Sequence, residues 1–577
     1  MSDPTNTEIA AALDELGDLT ELDGGAIYRV VAYRNAAKAV RDSPVSVLGM
    51  ARQGRATELP GVGGIIQEKI IDLADTGDIP AAAKLRAKFP PGVIEMTHLP
   101  GLGPKRVRRL YEELGIDSLD SLRAAAEEQR IRALKGFGPK AEETILARVR
   151  LAGAGERAAR VVLDRALAVA DPLIAALRAH PASERVELAG SARRMTDTVK
   201  DLDVIATAHD PLALAQAAAG LDLIEEAATP SEAGVRLRTH TGLRVDLRIV
   251  APDQFGNLLQ HLTGSKEHNM ALREAAVRKG LHVSEYGVLD DATGETHRCA
   301  TEHDVYALLG LEYIEPELRE NRGELEAATT GTLPDLITQQ DLRGDLHCHT
   351  TASDGTGSIE EMAAAASEAG YDYLAITDHS ASFGFGDEVS PNALREQIAR
   401  IRAMQPDGLQ LLAGSEVNIL PDGSLDYDDE LLAELDWVIA SVHSSFRMSA
   451  DQMTDRMVRA VEHPLVDALG HPSGRKLERR APYAFDVHRV IDAAARTGTM
   501  LEINSNPDRR DLNDLNARAA AAAGVRIVID SDAHRTRTLQ NMRWGVATAR
   551  RAWLTRADVV NTRTWRQLQR FRKQARQ

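Results

Sequence analysis

Nine side chains of metal-binding type lie in roughly the last 240 residues: His347, His349, Asp354, His379, Glu416, His443, His471, Asp532 and His534. Eight of them fall in the segments Asp-Leu-His-Cys-His, Thr-Asp-His, Gly-Ser-Glu, Ser-Val-His, Gly-His-Pro and Ser-Asp-Ala-His, most of which close a short apolar run, and Asp354 follows shortly after the first. Imidazole and carboxylate ligands at strand ends suit Zn, Mn or Fe. Nine ligands exceed the capacity of one ion, so two or three clustered ions are implied, the arrangement used for phosphoester hydrolysis. One such motif alone reads equally well as an ordinary core or surface histidine; the series does not. Cys348 lies between two of the histidines. Strand alternation turns it away from them, which predicts a packed thiol.

A second constellation joins Gly190-Ser191-x-Arg-Arg194, Asp201-x-Asp203 and Asp246. Two carboxylates two apart on a strand share a face and could hold two Mg²⁺ or Mn²⁺ ions. A third, from a neighbouring strand, would complete one ion and help deprotonate an attacking 3′-hydroxyl. Gly190 and Ser191 would let the backbone approach phosphate, and Arg194 would add positive charge. A lone Asp-x-Asp is usually a solvated strand face. Here Arg244, Asp246 and Arg248 alternate with Leu243, Val245, Leu247 and Ile249, so the third carboxylate also sits on a strand with one packed face.

The elements that must present substrate to these residues come earlier. A turn-rich pattern occurs three times, at Leu59-Pro60-Gly61-Val62-Gly63, Leu99-Pro100-Gly101-Leu102-Gly103 and Leu134-Lys135-Gly136-Phe137-Gly138, each before a helical pattern. The glycines permit a tight turn with backbone N–H groups at a helix N-terminus, a sequence-independent phosphate cradle. Lys105 and Lys140 follow the last two turns. Three repeats predict helix-hairpin-helix DNA binding. The net charge of −17 leaves DNA binding undecided. Basic clusters occur at Lys105–Arg109 and among Arg563, Arg566, Arg570, Arg572 and Lys573.

At 577 residues the chain is expected to form three to five domains. No run approaches a membrane span, and no basic-then-apolar leader opens the chain. The two cysteines, Cys299 and Cys348, fit a reducing compartment. These features predict a cytoplasmic, nucleoid-associated protein. From residue 341 onward seven strand candidates alternate with helices, which predicts a β/α barrel with its site at the strand C-terminal ends.

Taken together, the chain resembles the bacterial family X DNA polymerases that carry a C-terminal polymerase-and-histidinol-phosphatase (PHP) domain. Ala32-Tyr33-Arg34-x-Ala-Ala resembles their lyase-type domain, and Leu59-Pro-Gly-Val-Gly with Glu68-Lys69 resembles its DNA-binding hairpin. Thr263-Gly264-Ser265-Lys266-Glu267-His268-Asn269 with Arg273 resembles the nucleotide-contacting stretch of the thumb. All nine ligand positions of the PHP family are matched. The resemblance implies a multidomain α+β and α/β chain: a lyase-type helical domain over 1–85, a helix-hairpin-helix domain over 86–152, a nucleotidyltransferase palm over 153–251, a thumb over 252–318, a linker over 319–340 and a distorted (β/α)7 PHP barrel over 341–577. It further implies nucleotide contacts from Gly264, Ser265, Asn269 and Arg273, and gap-filling polymerisation combined with a metal-dependent 3′→5′ exonuclease. Gapped or nicked DNA and dNTPs are the implied partners of a monomeric chain. Lys69 matches the Schiff-base lysine of a deoxyribose-phosphate lyase, where a neutral amine attacks the sugar aldehyde. The alternative for Lys69 is a DNA-phosphate contact, since Asn35 and Ile65 occupy two positions expected to be basic.

Three departures fall near the expected nucleotide. Lys200 precedes the first aspartate where Gly is usual, Met195 follows the paired arginines in place of Gly, and His261-Leu262 replaces Tyr-Phe. They motivate a runner-up reading: a DNA-end-processing nuclease with a weak or altered polymerase site. A non-catalytic DNA-end scaffold and a small-phosphate hydrolase are the remaining alternatives.

Overall fold

The computed structural model describes residues 3–99, 102–151, 160–381, 389–404 and 406–573. The chain divides into two compact units. The first comprises Met1–Val161, Arg165–Leu188 and Lys200–Ala251; the second comprises Val162–Asp164, Ala189–Val199 and Pro252–Gln577.

The first unit opens with helices Asn6–Leu22 and Ile27–Asp42. The Thr5 hydroxyl accepts the Glu8 amide while the Glu8 carboxylate accepts the Thr5 amide, a reciprocal cap that fixes the first helix's start. Ile9, Leu13 and Leu16 recur at helical spacing and are buried. The three hairpin turns share one closing hydrogen bond. In each, the central apolar residue is buried and its amide donates to the carbonyl three residues back: Val62 to Leu59 at 3.0 Å, Leu102 to Leu99 at 2.9 Å and Phe137 to Leu134 at 3.1 Å. Gly61 and Gly136 sit at φ of 84° and 90°, a conformation that side-chain-bearing residues rarely adopt. Helices Gly64–Thr76, Pro104–Leu114 and Gly138–Leu151 follow.

The same unit holds a five-stranded sheet with spatial order Ser183–Leu188, Asp201–Ala208, Arg244–Ile249, Gly234–Thr239 and Ile224–Ala227. The second and third strands in that order are parallel, with Asp203 opposite Asp246 and Asp201 opposite Arg244. Leu202, Val204, Val245 and Leu247 are buried behind them, as the alternation predicts.

In the second unit, helices Phe255–Thr263, Lys266–Val277 and Glu302–Leu308 pack with a three-stranded antiparallel sheet. A buried ion cluster ties this region together. Glu302 pairs with Arg193 at 2.6 Å and with Arg319 at 2.5 Å, and the Arg319 guanidinium lies over Tyr306 and Tyr313. Segment 319–340, expected as a linker, is instead packed: it carries helix Glu324–Thr330, and Arg319, Glu324, Leu336 and Ile337 are buried. Its low apolar content hid this, because Arg319 and Glu324 are buried through charge pairing rather than hydrophobicity.

The rest of the unit is a barrel of seven parallel strands in chain order: Gly344–Cys348, Tyr373–Ile376, Gln410–Asn418, Trp437–Ser441, Ala468–Leu469, Met500–Asn504 and Ile527–Asp530. First and last strands meet where the His349 amide donates to the Ala533 carbonyl at 2.8 Å. Helices cover the outside. Trp565 and Leu568 pack against the core formed by Leu346, Trp437 and Ile439. Part of the basic C-terminal cluster is structural. Arg572 pairs with buried Asp467 at 3.1 Å, and the Lys573 amine donates to the Val461 carbonyl at 2.6 Å.

Burial alone would raise the Glu302 carboxyl, but Arg319 and Arg193 outweigh it and hold it at about 2, below its ordinary 4.5. The pair's stabilisation is therefore present above the ordinary value and is lost as pH falls toward about 2. Glu302→Ala strands the buried Arg319 guanidinium and removes the carboxylate from half-buried Arg193, and should destabilise the second unit by about 3 kcal/mol at neutral pH. Urea unfolding followed by tryptophan fluorescence reads this; an unchanged transition would contradict it.

Candidate active sites

The barrel's strand ends bring all nine predicted ligands into one assembly. Glu416 is its centre. Its two carboxylate oxygens lie 2.8 Å from His471, 3.0 Å from His379, 3.2 Å from His443, 3.3 Å from His347 and 3.6 Å from His349. Asp532 lies 3.2 Å from His349 and 3.7 Å from His347 and His534. Asp354 lies 3.2 Å from His534 and 3.5 Å from His379. Two ligand atoms on one tetrahedral Zn²⁺-type ion sit about 3.4 Å apart, given metal–ligand bonds near 2.1 Å. The observed separations match that spacing. The Nε2 atoms of His347 and His349, Nδ1 of His471 and one Glu416 oxygen are buried without a hydrogen-bond partner. Orphaned buried polar atoms are costly unless something binds them, so the residues fit a metal cluster.

The electrostatics divide the imidazoles into two groups. Burial opposes ionisation of Glu416, but His443, His347 and His379 outweigh it and hold the carboxyl well below its usual range. Burial, together with His534 and His379, lowers His349 to about 4. Burial and nearby Arg509 lower His471 to about 3. His349 and His471 are thus held in the neutral form that metals require, whereas the surrounding carboxylates outweigh burial, raising His347 and lifting His379 to about 9. His471 and Asp532 have φ of 25° and 52°, a strained backbone of the kind retained at functional sites.

Sequence reasoning missed the residues that orient these ligands. Glu502 accepts from His347 Nδ1 at 2.6 Å and from the His471 amide at 2.5 Å. Asn504 donates to Asp532 at 3.0 Å, and Asn418 contacts His443 Nδ1 at 2.5 Å. Asp378 accepts from Thr350, Ser353 and Gln397, fixing the loop that carries Asp354. The signal was present in Leu501-Glu502-Ile503-Asn504 and Glu416-x-Asn418: alternating polar residues at the end of an otherwise apolar, buried strand.

A cleft of about 400 Å³ opens onto the assembly, lined by Asn506, Pro507, Asp532, His534, Arg535 and Arg537. Arg509 Nε lies 3.6 Å from Asp532. Lys476 is half-buried, and burial and Arg509 both lower its pKa. Arg475 is not open to a ligand: it donates to the carbonyls of Arg509 and Arg510 and pairs with Asp197.

The second constellation is distributed over both units. Asp201, Asp203 and Asp246 share the half-exposed face of the first unit's sheet, beside exposed Lys200. Asp203 stands directly opposite Asp246 on the neighbouring strand, and the alternation puts Arg244 and Arg248 on that face with them. Among the described residues, the groups close enough to grip one ion directly all lie in the barrel. Gly190 starts the short helix Gly190–Arg193 of the second unit, with half-exposed Ser191 next to it. Arg194 departs from the expectation of a guanidinium free to meet phosphate. Its Nη1 donates to the Thr263 carbonyl at 2.6 Å and its Nε pairs with Glu320 at 3.1 Å.

In the thumb region Gly264 precedes Ser265, whose hydroxyl caps helix Lys266–Val277 by accepting the His268 amide at 3.1 Å. Asn269 bridges Gln260 and the His261 carbonyl, and Arg273 contacts His261 Nδ1 at 3.1 Å. Gly63 and Gly103 are the residues immediately preceding their hairpin helices, and Gly138 begins its helix at φ 47°. Lys105 is largely exposed and lies 3.8 Å from Glu21, and Arg108 and Arg109 pair with Glu112 and Glu113. Lys69 is half-exposed on helix Gly64–Thr76. Gly101 and the side chain of Lys140 lie outside the described residues.

Paired hairpins, a thumb-like region and a histidine–carboxylate barrel define a DNA-polymerase-type chain joined to a metal-dependent barrel. Known families match these parts: a helix-hairpin-helix domain over 4–79, a SAM-like helix-hairpin-helix tandem over 93–150, a DNA polymerase beta thumb over 258–320 and a PHP domain over 345–506. The chain is 37% identical over 570 residues to the DNA polymerase/3′-5′ exonuclease PolX of Bacillus subtilis (strain 168), covering 98% of this chain and 99% of that protein. The barrel region is also similar to probable phosphatases. It is 33% identical over 201 residues to one from Caldanaerobacter subterraneus, spanning 33% of this chain and 75% of the relative. It is 31% identical over 231 residues to one from Thermoanaerobacter sp. (strain X514), spanning 38% and 89%. The chain belongs to the bacterial family X DNA polymerases with a C-terminal PHP domain.

Glu502→Gln should leave the barrel folded but weaken divalent-ion affinity by roughly 10- to 100-fold, because His347 loses its carboxylate partner. Chelator-competition titration measures this; wild-type affinity in the variant would contradict it.

Proposed function

We infer that the chain is a two-site DNA repair enzyme, a gap-filling DNA polymerase joined to a 3′→5′ exonuclease. The observation that carries the nuclease half is the nine-residue assembly around Glu416, on a chain that also presents three hairpin turns for DNA. Two or three Zn²⁺, Mn²⁺ or Fe ions would be held by His347, His349, Asp354, His379, Glu416, His443, His471, Asp532 and His534. Mg²⁺ or Mn²⁺ would be held by Asp201, Asp203 and Asp246. When bound, such ions supply Lewis-acid charge for phosphoryl oxygens and lower the pKa of water or a 3′-hydroxyl.

The chain's own residues do the remainder. Glu502, Asn418 and Asn504 orient the barrel's ligands, and Arg509 and Lys476 supply positive charge for a phosphodiester beside them. Gly190 and Ser191 let the backbone approach a triphosphate, while Gly264, Ser265, Asn269 and Arg273 shape the nucleotide's other side. Gly61, Gly63, Gly101, Gly103, Gly136 and Gly138, with Lys105 and Lys140, grip the DNA backbone without reading sequence. Lys69 is the amine for removing a 5′-deoxyribose phosphate. The protein acts as a monomer on gapped or nicked DNA in the cytoplasm, at the nucleoid.

Lys200, Met195 and the His261–Arg273 contact favour a second reading, a nuclease with an altered polymerase site. A labelled gapped duplex separates the two, assayed with and without dNTPs across Mg²⁺, Mn²⁺ and Zn²⁺. His349→Ala should abolish digestion and spare extension, and Asp203→Ala should do the reverse. Absence of template-directed extension by the wild type would sink the two-site reading. On the same duplex bearing a 5′-deoxyribose phosphate, borohydride should trap the wild type and not Lys69→Ala; equal trapping would reject Lys69.

A further inference from the structure

Residues 189–199 lead from the Gly190–Arg193 helix toward the aspartate strand, yet they belong to the same compact unit as the barrel. Three barrel arginines hold this stretch. Arg510 Nη2 donates to the Met195 carbonyl at 2.9 Å, its Nε donates to the Thr548 hydroxyl at 3.0 Å, and its Nη1 lies 3.4 Å from Asp197. Arg475 pairs with the other Asp197 oxygen at 2.8 Å. Arg551 donates to the Arg194 carbonyl at 2.8 Å and pairs with Glu320 at 2.9 Å, the same carboxylate that takes Arg194.

The dependence runs both ways. Arg510 is 1% exposed, and a buried guanidinium needs partners; Met195 supplies a hydrogen bond and Asp197 the opposite charge, although Nη1 makes no hydrogen bond of its own. Met195 has φ 55° and Arg510 has φ 47°, both in the left-handed region where glycine is the natural choice. A self-sufficient turn would place glycine at 195. Here the strained conformation is over-determined from outside, by a hydrogen bond between two strained residues.

We propose that Arg510, supported by Arg475 and Arg551, is a positioning residue for nucleotidyl transfer. The metal barrel sets the orientation of the Gly190–Arg194 turn that receives the incoming triphosphate. The proposal rests on the nucleotide-binding reading of Gly190 and Ser191. It gives the barrel a second role, independent of hydrolysis. It also explains why Met195 is tolerated, because the barrel supplies the constraint that a glycine would otherwise provide by itself. Neighbouring Arg509 sits 3.6 Å from the barrel ligand Asp532, so one dipeptide places an arginine at each site.

The test uses the full-length chain on a single-nucleotide gapped duplex, with dNTP titrated and exonuclease rate measured on the same preparations. Arg510→Met and Asp197→Asn should each raise the dNTP KM about tenfold, the loss expected for one charge-assisted hydrogen bond. Arg510→Lys should recover part of it. Exonuclease rate should stay within about twofold of wild type, the scatter expected of a change outside that site. Asp197→Asn carries the test if Arg510→Met does not fold. Ser191→Ala is the control for the underlying reading and should also raise the dNTP KM. If Ser191→Ala raises it while Arg510→Met and Asp197→Asn leave it unchanged, the positioning role is wrong and the nucleotide reading stands. If Ser191→Ala has no effect, the nucleotide reading fails and the proposal with it. Equal loss of both activities with a lowered melting temperature would show ordinary structural support and overturn the positioning claim.

Discussion

One carboxylate organises the second unit. Glu416 is almost fully buried and faces five imidazoles within 3.6 Å. A buried anion surrounded by hydrogen-bonding nitrogens is tolerated only if the charge is compensated and the lone pairs are used. The five nitrogens cannot all donate to two oxygens with good geometry, and several remain orphaned. Shared cations would resolve the conflict. The barrel is what makes such crowding possible. Parallel strands all end at the same rim, so His347 and His349, His379, Glu416, His443, His471 and Asp532 converge although up to 185 residues separate them in sequence.

That constraint spreads outward through one strand and its following loop. Met500–Asn504 places Glu502 and Asn504 behind the ligands. The loop after it turns Arg509 toward Asp532 and Arg510 toward Met195. A few residues later Asp514 pairs with Arg322 and Arg551. Ligand orientation, local positive charge and the loop at 194–197 thus hang on a single stretch of chain. The strained backbone at His471, Arg510 and Asp532 lies along this route, where surrounding contacts can hold it.

Much of this was legible in the sequence because the informative residues are local. Most of the nine ligands close an apolar run, and the three hairpins repeat one five-residue pattern, so period and spacing carried most of the reading. Asp201, Asp203 and Asp246 were placed on one face by alternation alone. What escaped depended on distant partners. Arg194 reads as a free cation until Thr263 and Glu320 are brought to it. Segment 319–340 reads as a linker from its Thr-Thr-Gly-Thr-Leu-Pro stretch, yet Arg319 and Glu324 are buried against opposite charge or a hydrogen-bonding imidazole. Arg572 and Lys573 read as part of a basic cluster, but buried Asp467 and a backbone carbonyl claim them. Charged residues buried by pairing carry no hydrophobic period, and a pattern reading cannot see them.

The central claim is that the assembly around Glu416 is a multinuclear metal centre. The most direct measurement is the metal content of the full-length chain, purified without chelators and analysed by inductively coupled plasma mass spectrometry. At least two divalent ions per chain are expected, given nine ligands and about four per ion. Wild-type protein with less than one tightly held ion per chain, and a content unchanged by Glu416→Ala, would contradict the account.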